Sequence, residues 1–295
     1  MNKNVERCLK KTKWGFYQYS PLPTEQELGE YYSNKYFQLA QSSYSYSTEY
    51  DEEEISWFRL QATLILMQVE KIRTKQKGSV LDVGCGEGWL LDTFHARGYE
   101  VAGMDYGRVA IERWNPHLLP YFSQGNSYEL LQEQIRNKSS YDVIFLGNVI
   151  EHVLDPEQLL SFLFKLLSPT GVLVIVAPND FSSLQDYILE KGFADAPWWL
   201  AYPDHLSYFN KESMTALVHG LGHSVRSTVS DFPMEFNLLS ENTNYVKDRS
   251  LGPEAHRQRM RICEYLHSKS PNVLLSLYEQ LGSIGVGRTL IYYCS

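Results

Sequence analysis

The stretch Val80-Leu81-Asp82-Val83-Gly84-Cys85-Gly86-Glu87-Gly88-Trp89 reads as an apolar strand that ends in three alternate glycines and opens directly into a helix. It limits the possible folds more than any other feature of the chain. Glycine permits positive φ and close backbone approach, so a strand, such a turn and a helix form a βα unit with a ligand at the turn. Two residues narrow the ligand. A dinucleotide fingerprint G-x-G-x-x-G needs its third glycine at position 89, where Trp89 would obstruct a pyrophosphate. Asp82, just before the first glycine, would also repel a pyrophosphate and suits a cationic amino group instead. Asp105 closes the next strand, where a carboxylate can accept hydrogen bonds from both hydroxyls of a ribose, and Tyr106 then offers an apolar face to a flat base.

Around this turn, short apolar runs alternate with helical periodicity, the pattern of a mostly parallel, doubly wound α/β sheet. Seven strands are expected, at Ser79–Val83, Glu100–Met104, Leu119–Phe122, Asp142–Leu146, Val172–Ala177, Ser224–Ser230 and Arg288–Tyr293. Helices are expected at 54–75, Trp89–Arg97, Arg108–Trp114, Tyr128–Arg136, Asp155–Leu167 and Lys211–Gly220, with a basic, polar helical segment near Glu254–Leu281. Before the sheet, Pro23–Thr24 caps EQELGEYY, and the tyrosines Tyr31, Tyr32, Tyr36, Tyr44, Tyr46 and Tyr50 crowd together. The organisation predicted is a small cap region over 1–53, a core over 54–231, and a helical insertion with the last strand of the same sheet over 232–295.

The string Val80 to Gly88 meets, position by position, the pattern hydrophobic, hydrophobic, acid, hydrophobic, G-x-G-x-G, and so resembles the first motif of class I S-adenosylmethionine-dependent methyltransferases. The resemblance covers about residues 55–230. It implies S-adenosylmethionine as cofactor, with Asp82, Gly84, Gly86 and Gly88 around the methionine part and Asp105 on the ribose. Tyr106 then lies against the adenine, and Asn148 completes the cofactor-binding set. Asn126, in Gly125-Asn126-Ser127, is the candidate reader of the adenine amino group; its alternative is an ordinary turn asparagine.

Asn148-Val149-Ile150-Glu151-His152-Val153 follows a buried strand, at the carboxyl end where ligands of open α/β sheets collect. The segment is similar to a motif of ubiquinone-biosynthesis O-methyltransferases and small-RNA 2′-O-methyltransferases. In some of these, two glutamates three apart and two histidines bind a divalent cation. Asn148 stands where the first glutamate would be, so no metal is expected here. His205, in Pro203-Asp204-His205, is the first candidate for general base and His152 the second, because imidazole titrates near neutrality. Each has the alternative of merely hydrogen-bonding backbone to fix its loop. Trp198, Trp199 and Tyr202, with the tyrosine-rich stretch, form either an aromatic lid or packing between cap and core.

Pro178-Asn179-Asp180-Phe181 and Asp231-Phe232-Pro233-Met234-Glu235-Phe236 resemble segments of bacterial methyltransferases that decorate surface polysaccharides. That resemblance implies a small-molecule acceptor, a sugar or its phosphorylated derivative, methylated on oxygen or nitrogen. A net charge of −8 argues against a nucleic-acid acceptor, and the basic residues over 256–269 read as a solvated helix face. No apolar run is long enough for a membrane helix, and the four cysteines are scattered without a CxxC pair, so a cytoplasmic protein without membrane attachment is expected.

Overall fold

The computed structural model describes residues 8–31, 49–73 and 77–295. Its strands are β1 (Cys8–Lys11), β2 (Tyr17–Ser20), β3 (Ser79–Val83), β4 (Glu100–Asp105), β5 (Phe122–Gln124), β6 (Tyr141–Gly147), β7 (Leu167–Pro178), β8 (Ser207–Tyr208), β9 (Val225–Ser230) and β10 (Thr289–Cys294). Seven of them form one sheet in the order β5-β4-β3-β6-β7-β10-β9. All its pairings are parallel except those of β10, which runs antiparallel to both β7 and β9. The mostly parallel α/β sheet is thus the one the sequence implies.

Each strand feeds two cores by simple alternation. Val172, Val174 and Val176 of β7 pack on one face, with Val80 of β3 and Val143 of β6. Leu173, Ile175 and Ala177 pack on the other, with Leu81, Val83, Ile144 and Leu146. Because both faces are covered, the central strands are nearly continuous apolar runs. The strand order reverses between β3 and β6, which opens a crevice at their carboxyl ends.

Helix α1 (Glu52–Ile72) begins at a capping box: the Asp51 carboxylate accepts from the Glu54 N–H at 2.9 Å, and Glu54 accepts from the Asp51 N–H at 3.0 Å. The glycine turn leads into α2 (Trp89–Ala96), and α3 (Val109–Trp114), α4 (Ser127–Arg136) and α5 (Pro156–Leu166) complete the crossovers. The expected third strand moves to Phe122–Gln124, because Pro116–Tyr121 winds into a 3₁₀ helix that contains Pro120.

Further along, α6 (Ser183–Glu190), for which no helix was expected, starts from a capping box between Ser182 and Gln185. It is followed by α7 (Lys211–Gly220). The single helical segment expected near Glu254–Leu281 is two helices, α8 (Gly252–Lys269) and α9 (Pro271–Ser283). The break falls where Pro271 lacks the N–H needed to continue α8 and Ser270 caps α9 instead. Cys263, Leu274, Leu275 and Tyr278 carry these helices into the core beside Leu64 and Val69 of α1.

A second, three-stranded sheet, β1-β2-β8, escaped the sequence reading. Residues 25–31 are helical as expected, with Thr24 and Glu27 exchanging cap hydrogen bonds at 2.9 and 3.2 Å. Of the tyrosine cluster, Tyr32, Tyr36, Tyr44 and Tyr46 lie outside the described residues.

Candidate active site

The three glycines after β3 all take positive φ, at 78°, 52° and 82° for Gly84, Gly86 and Gly88. At Gly84 the requirement is also steric, because a Cβ there would collide with Cγ2 of Val149 from the loop after β6. The turn is tied to the end of β4: the Gly84 N–H donates to the Met104 carbonyl at 2.8 Å, and the Gly86 N–H to Asp105 Oδ2 at 3.0 Å. Asp105 also accepts from the Gly107 N–H at 2.9 Å. Burial pushes its carboxyl above the ordinary range, against the pull of these N–H groups.

Asp82 is 2% exposed, and its Oδ1 has no hydrogen-bond partner. Burial, reinforced by the charge of Asp105, holds its carboxyl well above the usual value. Two buried carboxylates therefore flank the glycine turn, an arrangement that a bound cation would relieve.

Tyr106, beside Asp105, is exposed, as a platform for a flat ring requires. Asn126 follows a hydrogen bond from the Gly125 N–H to the Asp105 carbonyl, and its own Oδ1 caps α4 by accepting from the Tyr128 N–H at 2.9 Å. Asn148 sits exposed at the end of β6 with φ of 53°. Trp89, which argued against a dinucleotide, stacks on Phe58 of α1 and leans on Trp114. Beside it the Tyr50 hydroxyl donates to Glu87 Oε1 at 2.8 Å. Both residues were on the page, but nothing in the sequence pairs a tyrosine before α1 with a glutamate in the turn.

Glu151, His152 and His205 come together, their ligand atoms all within 4.8 Å of one another. The grouping is built by backbone: the Glu151 carbonyl accepts from the N–H groups of Leu206 and Ser207 at 2.8 and 3.1 Å. His152 Nδ1 lies 2.6 Å from the Asp204 carbonyl. A carbonyl only accepts, so Nδ1 carries the hydrogen and a neutral His152 keeps its lone pair on Nε2, 3.7 Å from Glu151 Oε1. The Glu151 side chain is buried, Oε2 has no hydrogen bond, and burial pushes its pKa up to about 7. The two imidazoles stand edge to face at 5.0 Å. One carboxylate oxygen and two imidazole nitrogens are also a donor set suited to a divalent cation.

Trp199 is buried against Phe181 and Trp198, which is packing, while most of the tyrosines of the proposed lid fall outside the described residues. Beyond β7 and β9 lies an ionic cluster that the sequence did not announce. Arg288 reaches Asp180 at 3.0 Å and Glu235 at 3.7 Å, and Arg259 reaches Asp231 at 3.6 Å while covering the Trp57 ring. Asp180 and Asp231 stood in quoted motifs, but their arginine partners are more than a hundred and about thirty residues away, at separations no local pattern reveals. Arg257 and Arg261 pair with Asp51, Glu53 and Glu254, so much of the basic stripe over 256–269 is engaged within the protein.

Residues 57–228 match the family model of a methyltransferase domain. Among curated proteins, the chain is 34% identical over 97 residues to a ubiquinone biosynthesis O-methyltransferase of Vibrio atlanticus, covering 31% of this chain and 40% of that protein. It is 28% identical over 187 residues to a probable S-adenosylmethionine-dependent methyltransferase of Mycolicibacterium smegmatis, covering 61% and 64%. The chain thus spans about two fifths of the length of the ubiquinone-biosynthesis relatives it matches. A solved S-adenosylmethionine-dependent methyltransferase from Archaeoglobus fulgidus is similar at 18% identity and a TM-score of 0.47, over 83% of this chain and 99% of that one.

Proposed function

Since the chain belongs to the methyltransferase-domain family, with S-adenosylmethionine as its cofactor, we propose that it transfers a methyl group to an oxygen or nitrogen of a small acceptor, carbohydrate-like or phosphorylated. The observation that carries the reading is the pair of buried carboxylates, Asp82 and Asp105, at a glycine turn whose third dinucleotide position holds Trp89.

When bound, S-adenosylmethionine supplies an already activated methyl group, so the protein's task is alignment and proton removal. Asp82 would balance the charge of the methionine amino group. Asp105, held in place by the Gly86 and Gly107 N–H groups, would accept from the ribose hydroxyls, and Tyr106 would offer its ring to the adenine. The close approach at Gly84, Gly86 and Gly88 follows from their lack of a side chain. Asn126 and Asn148, from the turns after β5 and β6, complete the candidate cofactor-binding set. His205, with His152 as second candidate, takes the proton that an acceptor hydroxyl sheds as its oxygen attacks, or that an acceptor ammonium sheds before its nitrogen can attack. The Asp204 carbonyl fixes the His152 tautomer so that Nε2 is the basic atom. Four free cysteines, three of them buried, suit a reducing cytoplasmic setting.

A second reading is favoured by the Glu151–His152–His205 grouping and by relatives named as ubiquinone-biosynthesis O-methyltransferases. In it, those three side chains hold a divalent cation that lowers the pKa of a phenolic acceptor hydroxyl.

Calorimetric binding of S-adenosylmethionine and, separately, NADH tests the first reading. Micromolar affinity for S-adenosylmethionine, weakened at least about a hundredfold by Asp105→Ala through loss of the charged acceptor for both ribose hydroxyls, is expected. Preference for NADH would overturn it. Methyl transfer to a panel of amino sugars, sugar phosphates and catechols, with and without magnesium, separates the two readings by acceptor and by metal requirement.

A further inference from the structure

His152 and His205 sit on loops more than fifty residues apart in sequence, and the described structure joins those loops through a third element. The hairpin of β1 and β2 lies outside the span of the family match, yet it is laid directly along the loop that carries His205. β2 pairs antiparallel with β8, and the Tyr19 N–H donates to the Leu206 carbonyl at 3.0 Å. Tyr17 packs on Phe181 at 4.3 Å and Tyr19 on Tyr202 at 4.6 Å, which grips the segments on both sides of the site.

Between these two tyrosines, on the opposite face of β2, Gln18 does something different. Its Nε2 donates to Ser207 Oγ at 3.1 Å and lies 3.4 Å from the Leu154 carbonyl. Ser207 follows His205 by two residues and Leu154 follows His152 by two, so one amide group spans both loops. Ser207 also donates its N–H to the Glu151 carbonyl, which closes the connection.

We propose that Gln18 is a positioning residue that holds the imidazoles of His152 and His205 in mutual register through Leu154 and Ser207. The proposal rests on the reading that these histidines serve the acceptor. An amide suits the task because a single NH₂ group offers two donors, one for each loop. A hydrocarbon at this position would fill the space and leave both acceptors without that donor. Misplacing a reacting group by about 1 Å is enough to cost roughly a hundredfold in rate.

The test compares the full-length protein with Gln18→Met, which keeps the volume, and Gln18→Glu, which keeps the shape but cannot donate to the Leu154 carbonyl. Imidazole ¹⁵N spectra, recorded with chelator present and assigned with His152→Gln and His205→Gln, report the tautomer and Nδ1 hydrogen bond of each ring. In both Gln18 variants the His152 Nδ1 signal is expected to lose its single hydrogen-bonded position, while S-adenosylmethionine affinity stays within about threefold by calorimetry. Wild-type imidazole signals in both variants, with only a lowered thermal midpoint, would overturn the proposal and leave Gln18 as ordinary packing. The reading beneath it fails by a separate result: His152→Gln and His205→Gln that retain full methyl transfer on the catechol and amino-sugar panel.

Discussion

A carboxylate oxygen without a hydrogen bond at 2% exposure, as in Asp82, is costly unless it is protonated or paired. Burial and the neighbouring charge of Asp105 favour the protonated form of Asp82, and a cation bound beside it would favour the ionised one. Binding of S-adenosylmethionine should therefore release a proton, and affinity should rise as pH rises until Asp82 is ionised in the free protein. Calorimetry in buffers of different ionisation enthalpy measures the released proton directly; binding that is proton-neutral and flat with pH would contradict this account. Asp82→Asn should remove the pH dependence and weaken binding about tenfold or more, the scale of one charge-assisted hydrogen bond. Asp82, Asp105 and the glycines were legible in the sequence because their chemistry is local, set by a strand, a turn and the next strand's end. Tyr50, Glu87 and Gln18 were not, because each acts through a partner that only the tertiary fold supplies.

Elements show the same division. β3, β4, β6 and α7 fall within a residue or so of where periodicity placed them, since each buries enough apolar surface to be visible alone. β2 and β8 are short and mixed in character, and they are strands because they pair with each other. The loops after β7 and β9 are fixed by Asp180, Asp231 and Glu235 against Arg259 and Arg288. Burial raises Asp180 and Asp231 to about 6, in spite of the arginines. An acid whose folded pKa lies above its unfolded value stabilises the fold fully below the unfolded pKa, near about 3.9, and loses that contribution as pH rises through the folded value. The unfolding free energy of the cofactor-free protein, measured with urea, should accordingly fall between about pH 4 and about pH 6, by on the order of 2 kcal/mol for each of the two groups. Asp231→Asn, which cannot ionise, should flatten part of that slope; an unchanged slope would assign the pH response to other groups.

At the scale of the whole molecule, the seven-stranded order sets the parallel strands β5-β4-β3-β6-β7 beside an edge where β10 is inserted antiparallel between β7 and β9. The sequence announced both the strand count and the position of the last strand, since Arg288–Tyr293 is a buried apolar run. It did not announce that the N-terminal hairpin would reach the histidine loops. Pulse-labelled hydrogen exchange during refolding should protect β3, β6 and β7 before β9 and β10, because β10 meets β7 across more than a hundred residues and β9 pairs in the sheet with β10 alone. Simultaneous protection of all seven strands would argue for a single nucleus.

The placement of β10 also has a consequence on the ribosome. β9 has β10 as its neighbour in the sheet, so residues 225–230 wait, once synthesised, for residues 289–294 to emerge. The glycine turn and all five parallel strands, up to residue 178, are made long before, while β9 still lacks its partner. Translation itself thus imposes an order of assembly in which the parallel part of the sheet is available before its antiparallel edge.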